Sequence, residues 1–542
     1  MKKPNFMVGP PGTGKTSEFI TKKYKELLTK YSHTKIIILS HTNVAAEEIR
    51  DDILELPEVK EKGLTIKSFK YKICTIHSYC KSRALNKDVF SYEDHISLCI
   101  KDSRFKLQRI NASDFEGDKH KFYKYISDAF GKGMTLKEHW KTCERSSYKP
   151  YSINTILEMQ DEYEKYKKDK QVCDFNDMIK DFIEKAKEPD IDALIVDEAQ
   201  DSNKPQIEAL HKMATNTKEY WFVGDPDQTI FEFAGASAEI FYELSKGAED
   251  LEQGYRCGQT INSLCKQIIK PIWDHYNIRR TWKPANYREG HEKEGQPIIG
   301  NHYYLPNYTT DCSHLRILLD KIRNTEETFL FTYRGNPSDT FVKNFFDQHG
   351  IEYAHVGNTA HVPKKELRCH KLWPEFASGK PMSLQQIKDF WDYLGSKVIV
   401  HGKGEYEFKD WIKKDYTIYE LIKLELLKET SVNEKDFRLI RLQNGKKEDY
   451  EKRLIYIEKV LRKGFNLEGD VRVKYANIHT VKGLTFDNVI VDLTRTRPED
   501  YFEQLRLKYV AYSRGRYDCW TIASQREYTL GVEWLKQEMK YH

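Results

Sequence analysis

The chain has 542 residues, of which 39% are hydrophobic and 32% charged. This size and balance are typical of a globular protein with three or four domains. No apolar run approaches the roughly 18 residues of a membrane helix, and prolines and glycines interrupt the start of the chain before a signal peptide could form. We therefore expect a cytoplasmic protein without a membrane partner. The net charge of +5 is too small at this length to indicate nucleic acid by itself.

Short apolar runs, each ending in a small or polar turn, recur along the chain. Such runs are expected of strands that helices cover on both faces of a parallel sheet, and the stretches between them carry apolar residues at helical spacing. The first half contains NFMVG at 5–9, KIIILS at 35–40, ALIVDE at 193–198 and YWFVGD at 220–225. The second half contains TFLFTYRG at 328–335, YANIHTVKG at 475–483, NVIVDLT at 488–494 and CWTIAS at 519–524. Two α/β cores follow from this pattern.

Two stretches of different texture interrupt the cores. Residues 82–167 and 358–470 are rich in Lys, Glu, Tyr and Asp and have helical periodicity, so we expect helical insertions there. The first core would then comprise 1–81 and 168–250, and the second 251–357 and 471–542. The polar, Gly- and Pro-containing segment 281–300 is predicted to be a surface loop.

GPPGTGKT at 9–16 fits the phosphate-binding loop G-x-x-x-x-G-K-[ST] and lies between a predicted strand and a predicted helix. Its glycines let backbone amides face phosphates, Lys15 would reach the terminal phosphates, and the Thr16 hydroxyl would ligate magnesium. A glycine turn with a chance lysine is the weaker alternative. The residues predicted to bind a nucleotide here are Gly9, Gly12, Thr13, Gly14, Lys15 and Thr16.

LIVDEAQD at 194–201 places two acids at the end of an apolar strand, which is the ligand-binding edge of a parallel sheet. Asp197 would hold magnesium, and Glu198 would orient and deprotonate the attacking water. Two acids at a strand end are also common as a helix cap. The phosphate loop favours the catalytic interpretation.

Phosphoryl transfer also needs positive charge near the departing group, and an arginine finger contributes about 10³ to 10⁵ in rate. Two segments offer one: QGYRCGQTI contains Arg256, and LKYVAYSRGR contains Arg514. A solvated surface arginine is the alternative for each.

VGDPDQTIFEFAGA at 223–236 brings acids and an amide next to Phe231 and Phe233. The two rings could fill a core or serve as stacking platforms for bases.

In chain order, these segments resemble the motifs of UvrD/Rep-type superfamily 1 helicases. The matching motifs are GPPGTGKT, LSHTNVAAEEIR, TIHSYC, VDEAQD, VGDPDQTIFEFAGA, GYRCGQTI, IHTVKGLTFDNVIV and LRLKYVAYSRGR, with DFNDMI at 174–179 leading back from the first insertion. The resemblance implies an α/β fold with two RecA-like P-loop cores of parallel sheets, each carrying a mainly helical inserted subdomain.

The resemblance also assigns roles. Gln228 would sense the γ-phosphate, Tyr255 would stack on the adenine, and Arg256 and Arg514 would contact the phosphates. The expected catalytic set is Lys15, Glu198, Gln228, Arg256 and Arg514, whereas Tyr255 and Arg256 also count among the residues expected to bind the nucleotide. The residues expected to contact the nucleic-acid strand are Thr42, Asn43, His77, Phe231, Phe233, His479 and Thr480.

As a whole, the resemblance implies an ATP-dependent DNA helicase or translocase that moves 3′ to 5′ on single-stranded DNA and unwinds duplex in replication, repair or recombination. ATP and Mg²⁺ are the implied cofactors. Single-stranded DNA, duplex junctions and replication or repair proteins are the implied partners, with RNA the less favoured track. We expect a monomer in a bacterial or viral cytoplasmic setting.

Three other functions remain open. A translocase that strips proteins from a single strand would share every motif but would not unwind duplex. An ATP-gated nucleic-acid-binding module would not need Glu198 and two arginines. A small-molecule P-loop kinase would need neither a second core nor the KGL segment.

The sequence departs from the family pattern at several places. Only eight residues precede Gly9, so we expect the family's adenine-reading glutamine segment to be absent and nucleotide selectivity to depend mainly on Tyr255. Thr485 stands where the family has an acid near the ribose. His41 and Phe233 stand where it has an aromatic residue and a tryptophan.

Overall fold

The computed structural model describes residues 2–84, 86–105, 121–142, 151–287, 295–357, 361–394, 398–400, 415–432, 437, 447–463, 470–494 and 501–523. The chain divides into two compact units. The first comprises Met1–Ile299 and Pro498–Ser513, and the second comprises Gly300–Arg497 and Arg514–His542. In the described part of the chain, no helix combines the length and apolar character that a membrane crossing requires.

Six parallel strands form the sheet of the first unit. They are β1 Asn5–Val8, β2 Ile36–Ser40, β3 Ile73–Thr75, β6 Ala193–Val196, β7 Glu219–Gly224 and β8 Glu249–Asp250. Their order in the sheet is β3-β2-β6-β7-β1-β8. The four apolar runs of the first half form β1, β2, β6 and β7, and the predicted parallel sheet is confirmed. Nearly all residues of these four strands are buried, because helices cover both faces.

Helices connect the parallel strands, as crossover connections require. The helix after the phosphate loop begins as a wide π-helical segment, Lys15–Thr21, and continues as Lys22–Lys30. The other helices of this core are Asn43–Leu54, Pro57–Glu61, Ile76–Ala84, Phe175–Lys185, Lys204–Met213, Ala238–Leu244, Gln259–Tyr276 and Tyr501–Tyr512.

The first inserted region is helical where it is described. Its helices are Tyr92–Lys101, Lys121–Gly131, Leu136–Thr142 and Ile153–Lys170. Strand β4, Asp88–Val89, pairs in parallel with β5, Val172–Cys173. Phe90, Phe122 and Tyr163 belong to a hydrophobic cluster formed within this region.

A buried lysine marks the return from this insertion to the core. Lys167 Nζ lies 3.0 Å from Asp174 Oδ2 and 2.8 Å from Asp177 Oδ2. Asp174 and Asp177 also cap the helix Phe175–Lys185 through reciprocal backbone bonds. The DFNDMI segment therefore fixes both the helix start and the end of the insertion.

The sheet of the second unit also has six parallel strands. They are β9 His302–Leu305, β10 Phe329–Tyr333, β11 Tyr353–His355, β14 Val473–Asn477, β15 Asn488–Asp492 and β16 Cys519–Ile522. Their order in the sheet is β11-β14-β10-β15-β16-β9. The run at 475–483 overlaps only the end of β14, because Asn477 Oδ1 accepts the Thr480 amide at 2.9 Å and turns the chain.

Helices Ser313–Asn324 and Asn336–His349 flank this second sheet. The second inserted region contains helices Lys364–Ala377, Leu384–Trp391, Ile418–Lys423 and Lys447–Arg462. It also contains an antiparallel pair, β12 Met382–Ser383 with β13 Asp415–Tyr416. Trp373 and Phe390 belong to a separate cluster there, whereas the helix Lys447–Arg462 contributes Ile457 and Val460 to the core of the sheet.

The packing differs from the sequence prediction after residue 250. Residues 251–299 group with the first unit, because the Leu251 amide donates to the Val8 carbonyl at 2.8 Å and extends the ladder of the first sheet. The segment predicted as a surface loop at 281–300 buries Trp282 and Ala285. The Lys283 amide donates to the Glu252 carbonyl at 2.7 Å, in an isolated parallel bridge between Gln253 and Lys283. Residues 288–294 of the predicted loop lie outside the described residues.

Candidate functional site

The phosphate loop follows β1 directly. The Gly9 amide donates to the Gly224 carbonyl at 2.9 Å, so the loop starts as a continuation of the β1–β7 ladder. Gly12 and Gly14 have φ angles of +73° and +74°, a region that residues with a Cβ adopt only at a cost. The helix starts at Lys15, with Gly14 as its amino-terminal cap. The loop therefore has the backbone form that the sequence predicts.

Lys15 and Glu198 meet at the carboxyl edge of the first sheet. Lys15 Nζ lies 3.2 Å from Glu198 Oε1 and donates to the Gly9 carbonyl at 3.2 Å. These contacts bring the ends of β1 and β6 together, although β7 separates the two strands in the sheet. The predicted proximity of the phosphate loop and the paired acids is present.

Asp197 and Glu198 follow β6 in different environments. Asp197 is buried, and its Oδ1 has no hydrogen-bond partner within the described residues. Burial, followed by the Glu198 charge, raises the pKa of Asp197, and Lys15 opposes this shift. Glu198 has φ +48°, a left-handed conformation that costs about 1 kcal/mol or more in a residue other than glycine. Sequence patterns do not indicate this strain.

Tyr255 and Arg256 lie against the phosphate loop. The Tyr255 amide donates to the Gly12 carbonyl at 2.7 Å, and the Tyr255 side chain is 46% exposed. A Cβ added to Gly12 would lie 2.3 Å from Arg256 Cβ, so glycine is required for this close approach. Arg256 therefore lies against the phosphate loop, although it is far from Gly12 in the sequence.

Gln228 lies in the turn after β7 and is buried. Its Nε2 donates to Asp225 Oδ2 at 2.9 Å. Asp227 accepts from Tyr242 Oη at 2.8 Å and from Trp273 Nε1 at 2.7 Å. Burial raises the pKa of both aspartates. No function had been predicted for these two acids, although acids at alternate positions after an apolar strand are a usable signal.

The aromatic turn, Phe231 to Phe233, follows Gln228 closely. The two rings make an edge contact with centroids 6.0 Å apart. Phe233 is 41% exposed and has the Lys124 ammonium 5.0 Å from its ring centroid. Core packing therefore does not explain the position of the Phe233 ring.

The inserted helix Lys121–Gly131 contacts this turn through two glycines. A Cβ on Gly131 would lie 2.2 Å from the Ala234 carbonyl oxygen, and one on Gly235 would lie 2.2 Å from the Gly131 carbonyl carbon. The backbones meet without intervening side chains. This contact, together with Lys124, was absent from the sequence prediction, because no pattern relates residues a hundred positions apart.

Three predicted strand-contacting residues lie after β2 and β3. Thr42 and Asn43 are exposed, and Thr42 Oγ1 accepts the Ala45 amide at 3.2 Å to cap the next helix. The His77 ring makes an edge contact with Phe175, 5.3 Å between centroids. Burial lowers the pKa of His77 to about 4, so its ring is neutral at physiological pH.

The remaining predicted residues lie in the second unit. His479 is partly buried and Thr480 is exposed, in the turn after β14. Arg514 is 1% exposed, so the alternative of a solvated surface group is wrong for it. Its carbonyl accepts the Phe486 amide at 2.9 Å.

Several known helicase sequences are similar to this chain. The sequence model of the UvrD/REP helicase N-terminal domain matches residues 1–249. The chain is 27% identical over 305 residues to a probable DNA helicase II homolog of Mycoplasma pneumoniae. The aligned region covers 50% of this chain and 41% of the relative. It is 24% identical over 396 residues to the ATP-dependent DNA helicase PcrA of Staphylococcus aureus, covering 67% and 50% respectively.

A third relative extends along both units. The chain is 22% identical over 626 aligned positions to the ATP-dependent DNA helicase Rep of Buchnera aphidicola, covering 95% of this chain and 90% of the relative. By contrast, the chain spans less than half the length of the Mycoplasma relative. The domain match and these relatives show that the chain is similar to UvrD/Rep-type helicases.

Proposed function

We propose that the protein is an ATP-dependent DNA helicase or translocase that moves 3′ to 5′ on single-stranded DNA and unwinds duplex. One observation carries the proposal. Gln228, at the nucleotide edge, and the half-exposed Phe233 belong to the same short turn after β7. A change at the phosphates can therefore reach a base-stacking ring within five residues of chain.

The chain's own residues account for hydrolysis of a nucleoside triphosphate. Lys15 and Arg256 provide positive charge for the phosphates, and amides of the phosphate loop donate to their oxygens. Glu198 accepts the proton of the attacking water. In the structure Glu198 pairs with Lys15 at 3.2 Å, so arrival of the phosphates exchanges this ion pair for a Lys15–phosphate contact. Arg514 keeps its assigned role at the phosphates as a prediction.

The residues at the carboxyl edge fit a magnesium ion. Asp197 offers a buried carboxylate oxygen, Oδ1, that lacks a hydrogen-bond partner within the described residues, and Thr16 offers a hydroxyl at the helix start. Hard oxygen ligands of this kind suit Mg²⁺. When bound, the ion would neutralise charge on the phosphate oxygens.

Single-strand binding would use stacking and backbone contacts. Phe233 presents an exposed ring with Phe231 beside it, and stacking contributes about 1 to 3 kcal/mol per base for any base. Thr42, Asn43 and Thr480 are exposed polar groups suited to the strand backbone. Their roles, and those of His77 and His479, are proposals.

We also propose that the two sheets are RecA-like cores, with 82–167 and 358–470 as their inserted subdomains. The support is the order of the first sheet, in which β7 lies between the phosphate-loop strand and the acid-bearing strand. Separate hydrophobic clusters in both insertions support their being subdomains. A monomer in a bacterial cytoplasm, working with replication or repair proteins, completes the proposal, since the relatives are bacterial DNA helicases.

The first test compares ATP hydrolysis with no polymer, with single-stranded DNA and with RNA of equal length. We expect strong stimulation by DNA and weak stimulation by RNA. Equal hydrolysis with and without polymer would overturn the proposal.

The second test gives the protein duplexes with a 3′ or a 5′ single-stranded tail. We expect displacement only from the 3′-tailed duplex. Release of a protein roadblock without displacement of a strand would instead identify a translocase that does not unwind.

A further inference from the structure

Gln200 lies between the catalytic acid and the turn that carries Gln228. It is fully buried, at 0% exposure, in the short helical turn Ala199–Asp201 after β6. Its Oε1 accepts the Asp225 amide at 3.0 Å, and its Nε2 donates to Glu198 Oε2 at 2.5 Å. Both ends of the amide are therefore used.

The orientation of the Gln200 amide follows from its partners. A backbone N–H can only donate, so the oxygen of the Gln200 side chain must face Asp225. The NH₂ group then faces Glu198, which as a carboxylate can only accept. A Cβ on Gly224 would lie 2.1 Å from Gln200 Oε1, so the glycine before Asp225 is required for this contact.

The bonds continue from Asp225 to Gln228. Asp225 Oδ2 accepts from Gln228 Nε2 at 2.9 Å and from Tyr509 Oη at 3.2 Å, and Oδ1 accepts the Asp227 amide at 3.1 Å. Asp225 is itself fully buried. Its carboxylate therefore has a fixed position, and so does the backbone amide that holds Gln200.

We infer that Gln200 is a positioning residue that orients the Glu198 carboxylate and ties it through Asp225 to Gln228. The inference rests on the proposed function, because it concerns the same hydrolysis site. Lys15 holds the other Glu198 oxygen, at 3.2 Å. When Lys15 turns to the phosphates, the bond from Gln200 still holds Glu198 Oε2, on a backbone with φ +48°.

The test is Gln200→Glu, with ATP hydrolysis measured from pH 6 to 9. The new carboxyl would lie between the Glu198 carboxylate and the Asp225 backbone amide, and Lys15 pairs with the other Glu198 oxygen. Two adjacent carboxylates repel, which raises the pKa of the pair, and only the protonated carboxyl can donate to Glu198. We expect kcat to fall by about 10- to 100-fold at pH 8.5, the scale of a misplaced catalytic group. The ratio of variant to wild-type kcat should rise as the pH falls, with KM for ATP changed less than about threefold.

Gln206→Glu is the matched control. Gln206 is also buried, and its Oε1 also accepts a backbone amide, that of Asn203 at 3.0 Å. It lies in a helix capping box, where glutamate serves equally well. We expect this variant to keep the wild-type pH profile.

Gln200→Ala covers the case in which Gln200→Glu fails to fold. It should lower kcat without a comparable change in KM, and binding of a fluorescent ATP analogue should stay near the wild-type affinity. A wild-type kcat and pH profile in Gln200→Glu would overturn the inference while leaving the proposed function intact. Absence of DNA-stimulated hydrolysis in the wild-type protein would overturn the proposed function first.

Discussion

The two sheets of this protein have the same number of strands, all parallel, yet their carboxyl edges differ. In the first sheet, six residues, 9–14, separate β1 from the helix at Lys15. In the second, only Arg334 and Gly335 separate β10 from the helix at Asn336. The longer, glycine-rich connection can turn around a phosphate with the amides of residues 12–14 and of the helix start, whereas Pro10 and Pro11 carry no N–H.

The acids at the strand ends also differ between the two sheets. Asp197, after β6, keeps one buried oxygen without a hydrogen-bond partner within the described residues. Asp492, at the end of β15, uses both oxygens: Oδ2 accepts from Tyr308 Oη at 3.0 Å, and Oδ1 accepts from the Thr494 amide at 2.9 Å. One carboxylate is open to a ligand, and the other stabilises its own unit. Strand arrangement alone therefore does not make a nucleotide site.

The largest effect should come from Lys15→Ala. Loss of a charge at the transferred phosphoryl group should lower ATP hydrolysis by about 1,000-fold or more, while single-strand binding stays near the wild-type affinity. Lys22→Ala, which removes an exposed partner of Glu18 on the same helix, is the control and should retain activity. Retained turnover in Lys15→Ala would remove the assignment of the site to the first sheet.

Asp197→Asn and Asp492→Asn test the two acids against each other. We expect Asp197→Asn to lower Mg²⁺-dependent hydrolysis by about 100-fold, since metal-ion charge stabilisation is worth several kcal/mol. Asp492→Asn should leave hydrolysis unchanged but cost about 1 to 3 kcal/mol of stability through its weakened hydrogen bonds. Thermal unfolding and ATPase assays of both variants measure this. Equal loss of activity in both would contradict the difference drawn between the edges.

Phe233→Ala should weaken binding of single-stranded DNA by about 1 to 3 kcal/mol, the scale of one stacked base. Phe341→Ala is the control in the second unit, because Phe341 is a comparably exposed ring, at 49%. Fluorescence anisotropy with labelled oligonucleotides measures both affinities. Similar losses in the two variants would show that Phe233 has no specific role.

Gly131→Ala should displace the inserted helix from the aromatic turn, because its Cβ would lie 2.2 Å from the Ala234 oxygen. Such overpacking costs about 1 to 3 kcal/mol of stability, and we expect a smaller loss of strand affinity than in Phe233→Ala. Gly63→Ala is the control. Gly63 has φ +64° but open space around its Cβ, so it should lose some stability without losing strand affinity.

His77→Gln should have the smallest effect. Burial lowers the pKa of His77 from 6.5 to about 4, so the ring is neutral between pH 6 and 8 and forms no ion pair with a phosphate. The salt dependence of strand binding should therefore keep its slope, whereas a lost phosphate contact would reduce it by about 0.7. A reduction of that size would show that the His77 ring is charged when the strand binds.

The same shift has a consequence for stability. The unfolded chain takes up a proton at His77 between about pH 6.5 and 4, and the folded chain does not. The contribution of the neutral, partly buried ring is therefore present above pH 6.5 and is lost as the pH falls through this window. His77→Gln should flatten that part of the stability curve, as measured by thermal unfolding.

Features that depend on neighbouring residues could be predicted from the amino-acid sequence. The phosphate loop, the apolar strands and the acids after β6 are each encoded within about ten residues, because glycine conformations, burial of strands on both faces and strand ends are local properties. The order of the motifs along the chain was sufficient to indicate the resemblance to UvrD/Rep-type helicases.

Contacts between residues far apart in the chain became visible in the folded structure. Gln200 reaches Asp225, Lys124 covers Phe233, and residues 251–299 pack with the first sheet rather than with the second. These contacts depend on side-chain geometry across strands and insertions, which hydrophobic periodicity does not encode. The strained backbone of Glu198 likewise results from its surroundings, because no local preference of glutamate favours a positive φ.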